Sequence, residues 1–272
     1  MLYSNMPPSC RPTLHFRDGA CVVTQDGCQI ALYHTGGAAG PALQFAAAPQ
    51  TASLLGSRHG PGCAFGIHGA GGGSEMVELL GRRGSASCGL KLNLEWRLPG
   101  ERLVREQRTV RFQMVSAYSI AIDTLVQIWP APAPAGGSAG TKTRACIFGW
   151  FAEPLLNSPA AVIQAPDGDH NPPEEFSVKS SWIAATGAPG GQPASVLLTT
   201  GLPGGEAPPR WSISPDGSFR ADFEPAGAGS SAPCEWFTRI VLHNGAVNRA
   251  WCAREAVRSQ EALAGAFTGI TL

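Results

Sequence analysis

Two alternating runs joined by a turn fix what the middle of this chain can become. Leu90, Leu92, Leu94, Trp96 and Leu98 alternate with Lys91, Asn93, Glu95 and Arg97. A period of two with one apolar face makes a half-buried β-strand. Pro99-Gly100 then turns the chain. The next strand sets Val110, Phe112 and Met114 on one face, and the same face carried backwards reaches Arg108, Glu106 and Val104. Glu106 and Arg108 therefore point with the apolar residues, into a sandwich or a concave cavity. A carboxylate and a guanidinium are buried only when paired or functional, so this pair marks a candidate site.

The same logic extends along the chain. Strands are expected over 76–82, 86–98, 102–114 and 118–129, and again near 143–150, 159–164, 195–200, 210–214, 218–223 and 235–243. Asp18-Gly19, Asp26-Gly27 and Pro215-Asp216-Gly217 are tight-turn signals, and two short strands are expected around the first two, between Leu14 and Leu32. Gly (34) and Pro (23) make about a fifth of the 272 residues, which suits many turns between short strands. Glycine-rich residues 56–73 and proline-flanked residues 166–175 are expected as loops. Residues 246–266 give the one helical pattern, with Ala250, Ala253, Val257 and Leu263 as a weak apolar stripe. The expected organisation is a flexible leader over residues 1–13 and one β-sandwich domain over 14–272.

Charge narrows the partners. Lys+Arg and Asp+Glu number 20 each, so the chain is neutral and no nucleic-acid partner is expected. No apolar stretch reaches the roughly 20 residues of a membrane helix, and no secretory signal precedes the first strands. A small-molecule substrate, no membrane and a cytoplasmic location are the expectations. Eight scattered cysteines without a Cys-x-x-Cys pair are expected as mostly buried free thiols. No nucleophile elbow, phosphate loop or dinucleotide fingerprint occurs, so no cofactor is expected.

The run Glu95-Trp96-x-x-Pro99-Gly100-x-x-Leu103-x-x-Glu106-x-Arg108-Thr109, then Ala121-Ile122-Asp123, and later Ser181-Trp182-Ile183-Ala184-Ala185-Thr186-Gly187 and Asn244-Gly245-Ala246, is similar to the core of the PmoA-like family. The resemblance implies an all-β fold, an antiparallel β-supersandwich like that of the galactose mutarotases, with sugar-like ligands bound on a concave face. The family's early histidine motif, approximately His-Pro-x-x-His-His-Arg-Gly, stands here as Ser57-Arg58-His59-Gly60-Pro61-Gly62, with His68 further on.

The expected catalytic groups are Glu106 and His59, a carboxylate beside a guanidinium and an imidazole on a glycine-rich loop. Arg58, His68, Arg108, His170, Trp182 and Arg239 are the expected substrate contacts. Trp182 supplies a ring to stack on, and Arg239 shares a strand face with Phe237 and Val241. No metal is expected, since His59, His68 and Glu75 fit no ligand spacing. The leading function is cofactor-independent acid–base chemistry on a polyoxygenated or sugar-like small molecule, of isomerase, lyase or cyclase type. Two alternatives stand beside it. One is a secondary-metabolite cyclase that templates a reactive substrate in an apolar pocket. The other is a non-catalytic carbohydrate-binding protein.

Overall fold

The computed structural model describes residues 13–17, 20–25, 28–34, 42–46, 53–56, 63–67, 71–81, 87–98, 102–116, 119–129, 145–172, 174–201, 208–223 and 234–267. These residues form an antiparallel β-sandwich with a C-terminal helix. In one sheet lie β1 (Thr13–Arg17), β2 (Ala20–Gln25), β3 (Cys28–His34), β4 (Ala42–Ala46), β5 (Ser53–Leu55), β6 (Cys63–Ile67), β11 (Ala145–Trp150), β14 (Phe176–Lys179), β17 (Arg210–Ile213) and β18 (Ser218–Phe223). The other holds β7 (Gly71–Gly81), β8 (Ser87–Leu98), β9 (Arg102–Ser116), β10 (Ser119–Trp129), β12 (Val162–Ala165), β13 (Gly168–His170), β15 (Trp182–Gly187), β16 (Ala194–Gly201) and β19 (Cys234–His243). The order across this nine-stranded sheet is β13-β12-β15-β16-β19-β10-β9-β8-β7. Both halves of the chain feed both sheets, and one apolar core joins them, from Leu54, Cys63, Ile147 and Phe223 on one side to Leu92, Phe112, Val126 and Ile240 on the other. Trp236 stacks on Phe223 across the gap, with ring centroids 5.6 Å apart.

The sheets differ in what covers them. β18 reads Ser-Phe-Arg-Ala-Asp-Phe, and its Phe219, Ala221 and Phe223 are buried while Arg220 and Asp222 face water. β10 reads Ser-Ile-Ala-Ile-Asp-Thr-Leu-Val-Gln-Ile-Trp, and Ser119 to Val126 are all buried. An unbroken run of buried residues, Ser119, Asp123 and Thr124 among them, is covered on both faces. A short helix α1 (Glu153–Leu156) follows β11, and helix α2 (Arg249–Phe267) supplies part of the cover by laying Cys252 and Ala256 on Trp182, Ala184, Leu197 and Val241. Asn248 starts that helix: its side-chain oxygen accepts from the Trp251 amide at 2.9 Å, and its carbonyl accepts from Cys252.

The meander of β7 to β10 runs as its alternation dictates, with Leu98 opposite Arg102 across the connection. Residues 99–101 of that connection lie outside the described residues. The two Asp-Gly pairs, also outside them, separate three strands rather than two, since β1, β2 and β3 pair in succession. The Pro215-Asp216-Gly217 turn forms as expected. Gly217 takes φ +79°, and Asp216 Oδ1 accepts from the Ser218 amide at 2.9 Å.

Two expected loops are corrected, and one further strand was not expected. β6 and the start of β7 cut into residues 56–73, because Cys63–Ile67 finds a partner edge on β11 and Gly71 pairs with Arg97. Residues 168–170 form β13, a short hairpin arm against β12. Strand β14 begins at Phe176, directly after the proline-flanked stretch, and pairs with β17. In each case the partner edge lies far along the chain or was too short to show a period, so alternation had nothing to register. The expected leader, residues 1–13, lies outside the described residues except for Thr13.

Candidate functional site

The two faces of the nine-stranded sheet carry different chemistry. On the inner face, Glu106 is 2% exposed and Arg108 is 0% exposed. Glu106 Oε2 accepts from Trp96 Nε1 at 2.5 Å, and Arg108 Nε donates to Glu106 Oε1. Arg108 also lies near Cys63 of the opposite sheet, so the pair sits between the sheets. Burial pushes the Cys63 thiol up to about 12, with the Arg108 charge opposing. Both carboxylate oxygens of Glu106 are thus held by protein donors, and proton exchange with a substrate would need the core to open.

The outer face of β8, β9, β10, β19, β16 and β15 is ordered into cross-strand rows. Side-chain alternation puts every odd-numbered residue of these central strands except β15 and β12 on that face, and there the register supplies the even ones. Toward the end away from α2 lies an amide row. Asn93, Gln107, Gln127 and Glu235 stand opposite one another on four adjacent strands. Gln107 Nε2 donates to Asn93 Oδ1 at 3.0 Å, and Gln127 Nε2 donates to Glu235 Oε1 at 2.5 Å. All four are half-buried. Among the described residues the hydrogen bond on Glu235 comes from a neutral amide.

Four residues along each strand, roughly 13 Å away, lies a charged row. Arg111, Asp123, Arg239, Thr199 and Trp182 stand in register on five strands. Arg239 donates to Asp123 through Nε at 2.5 Å and Nη2 at 2.8 Å, and Gln113 Nε2 reaches Asp123 Oδ2 at 2.7 Å. Leu125 and Phe237 fill the space between the rows. Beyond the charged row, past the helix contact, His243 Nδ1 shares a 2.8 Å hydrogen bond with Ser119 Oγ. Burial holds the His243 imidazole below its ordinary pKa, and Glu255 pulls it back up.

The residues expected at a site are therefore divided. Trp182 and Arg239 share one row, although Trp182 lies beneath α2 and offers no open ring face. Glu106 and Arg108 are on the opposite side of the same sheet. His170 sits on the edge strand β13, stacked on Phe176 at 3.8 Å between ring centroids and 3.3 Å from Asp167. Four strand positions, about 19 Å of sheet, separate it from β19. Arg58, His59 and His68 lie outside the described residues. Asn93, Gln107, Gln113, Gln127 and Glu235 are not among the expected site residues, and Asp123 figures only in the family-like run Ala121-Ile122-Asp123. Their signal was a shared parity of amides on neighbouring strands, which shows only once the strands are put in register. Among the described residues, no three His, Cys, Asp or Glu side chains gather as a metal site, and no helix is long and apolar enough to cross a membrane.

No family model matches the chain, and neither does any curated protein sequence. Among solved structures it is similar to one described as a "putative aldose 1-epimerase" from Klebsiella pneumoniae subsp. pneumoniae MGH 78578. The match covers 92% of this chain and 82% of that one, with 11% identity and a TM-score of 0.43.

Proposed function

We propose that this chain binds a polyoxygenated, sugar-like small molecule on the outer face of the nine-stranded sheet and isomerises it by cofactor-independent acid–base chemistry. The observation that carries this reading is the amide row. A sugar hydroxyl both donates and accepts, so it is read by groups that do the same. Asn93, Gln107 and Gln127 are such groups, and each is oriented by a neighbour before any ligand arrives. That orientation removes part of the ordering cost of binding. The rigid sheet beneath fixes their spacing.

Glu235 is the proton-transferring group in this reading. Asp123 is tied to Arg239 in a two-point ion pair, which occupies both its oxygens. Glu235 is half-buried, accepts from the Gln127 amide, and stands in the same row as the amides that would hold the ring. Isomerisation that moves a proton between hydroxyl and ring oxygens needs such a carboxylate and amides to hold the ring. His59 is the proposed second acid–base group, with Arg58 and His68 beside it in sequence.

Anomer exchange of aldoses, followed by magnetisation transfer in NMR, tests the proposal. The protein should accelerate exchange of at least one aldohexose, and Glu235→Gln should lower that rate about 10²–10⁴-fold with an unchanged melting temperature. A Glu235→Gln protein of full activity would remove Glu235 from the mechanism. Failure to accelerate any aldose would remove the isomerase assignment.

A further inference from the structure

The amide row is longer than one sugar. From Glu235 on β19 through Gln127 and Gln107 to Asn93 on β8 it crosses three strand spacings, about 14 Å. A single pyranose ring bridges two neighbouring strands, so one ring meets only half of the row. The row is also built as two pairs: Gln107 donates to Asn93, and Gln127 donates to Glu235. Each pair orients its own amide, so each can meet a separate ring. Beside the row stands an indole. Trp129 is two residues beyond Gln127 on the same strand and shares the outer face. It is half-buried, and among the described residues no ring contact and no side-chain hydrogen bond engages it. Arg105, its register partner on β9, leans the other way, with Nε 3.5 Å from Glu95 Oε1 on β8. Trp96, Trp182, Trp211 and Trp236, by contrast, are buried in the apolar clusters.

We infer that the ligand is an oligosaccharide of at least two rings, laid across β19, β10, β9 and β8, with Trp129 stacking on a ring inside it. This rests on the sugar-binding reading of the same face and names its substrate class. A pyranose presents hydroxyls around its rim and C–H groups on its faces. The rim matches the amides, and the C–H face matches the indole, an apolar body with one N–H at its edge. The reducing ring lies at Gln127 and Glu235, where the proton-transferring carboxylate is placed. The following rings run toward Gln107 and Asn93. Trp129 flanks the middle of the row, so it meets the ring joined to the reducing one. The amides carry no charge, which suits neutral sugar units.

Calorimetric titration with glucose, maltose, maltotriose, cellobiose and cellotriose tests this. Anomer exchange leaves the sugar itself unchanged, so binding is read on the active protein. In one of the two linkage series the longer sugars should bind about tenfold more tightly than glucose, with a change in tryptophan emission. Trp129→Ala should remove that gain and leave glucose binding in place. Asn93→Ala, which removes little packing, should do the same to a smaller degree, and it keeps the test decisive where Trp129→Ala lowers the melting temperature. Equal binding of glucose and every longer sugar would overturn the extended site but leave the single-ring reading of the face standing. A gain with length that survives both substitutions would overturn the row and its indole as the cause. Binding of none of the five would overturn the sugar-binding face itself, and the extended site with it.

Discussion

The nine-stranded sheet carries a buried arginine–carboxylate pair on each face, and the two pairs are surrounded differently. Glu106 and Arg108 sit two residues apart on one strand, between the sheets, with an indole N–H as the further donor to the carboxylate. Asp123 and Arg239 face each other across two strands on the outer side, bordered by an amide, a second arginine and a buried hydroxyl. Around the inner pair the neighbours are Leu92, Val104, Val110 and Val126, whose only demand is to be packed. Around the outer pair the neighbours Gln113, Arg111 and Thr199 are polar. Burial alone therefore does not identify a site. What separates the two pairs is position: one lies between the sheets among apolar side chains, the other on the outer face in a row of polar ones.

The largest effect should come from breaking the inner pair. Glu106→Gln keeps an acceptor for Trp96 but strands the Arg108 charge, and should cost about 3–5 kcal/mol in urea unfolding. Adding Arg108→Met should recover most of that loss, because a buried ion pair exchanged as a unit is close to neutral. Ligand binding by the double variant should match the parent protein. The corresponding Asp123→Asn plus Arg239→Met exchange on the outer face should weaken sugar binding. If both double variants behave alike, the contrast between the faces is false.

A smaller effect is expected at the start of the covering helix. Asn248→Ala removes the side-chain acceptor for the Trp251 amide and should lower stability by about 1 kcal/mol. Because α2 lies on Trp182, the same change should raise the quenching of tryptophan fluorescence by acrylamide. Unaltered quenching with lowered stability would mean that the cap acts without loosening the cover.

His243 sharpens the comparison through pH. Its folded pKa is lowered by burial, so the unfolded chain binds the proton first as pH falls. The stability it confers is present above its ordinary value, about 6.5, and is lost on acidification below it. Melting temperature should fall between pH 7.5 and 5.5, and His243→Gln should flatten that slope. An unchanged slope would show that other groups set it.

The smallest effect is an expected silence. Burial raises the thiols of Cys63 and Cys252 to about 12, and the thiolate is the reactive form. Cys63, Cys146 and Cys252 are buried and form no disulfide. None of the three should react with a thiol reagent at neutral pH in the native protein, and all should react in denaturant. Native-state labelling of Cys63 would show that the inner face opens to solvent.

Residue order by itself determined the strands whose pattern is local. The alternation of Leu90 to Leu98 and of Val104 to Phe112, and the Gly217 turn, needed no partner to be legible, since a one-sided burial requirement writes itself as a period of two. It also determined that Glu106 and Arg108 share the apolar face, because parity is a property of a single strand. The tertiary structure decided the rest. β6, β13 and β14 are strands because an edge from elsewhere in the chain pairs with them. Ser119 to Val126 are covered on both faces because a helix more than 120 residues later and the opposite sheet close over them. The rows Asn93–Gln107–Gln127–Glu235 and Arg111–Asp123–Arg239–Thr199 join residues from distant segments. Such juxtapositions are set by strand register, and register is fixed only when whole sheets bury their apolar faces together.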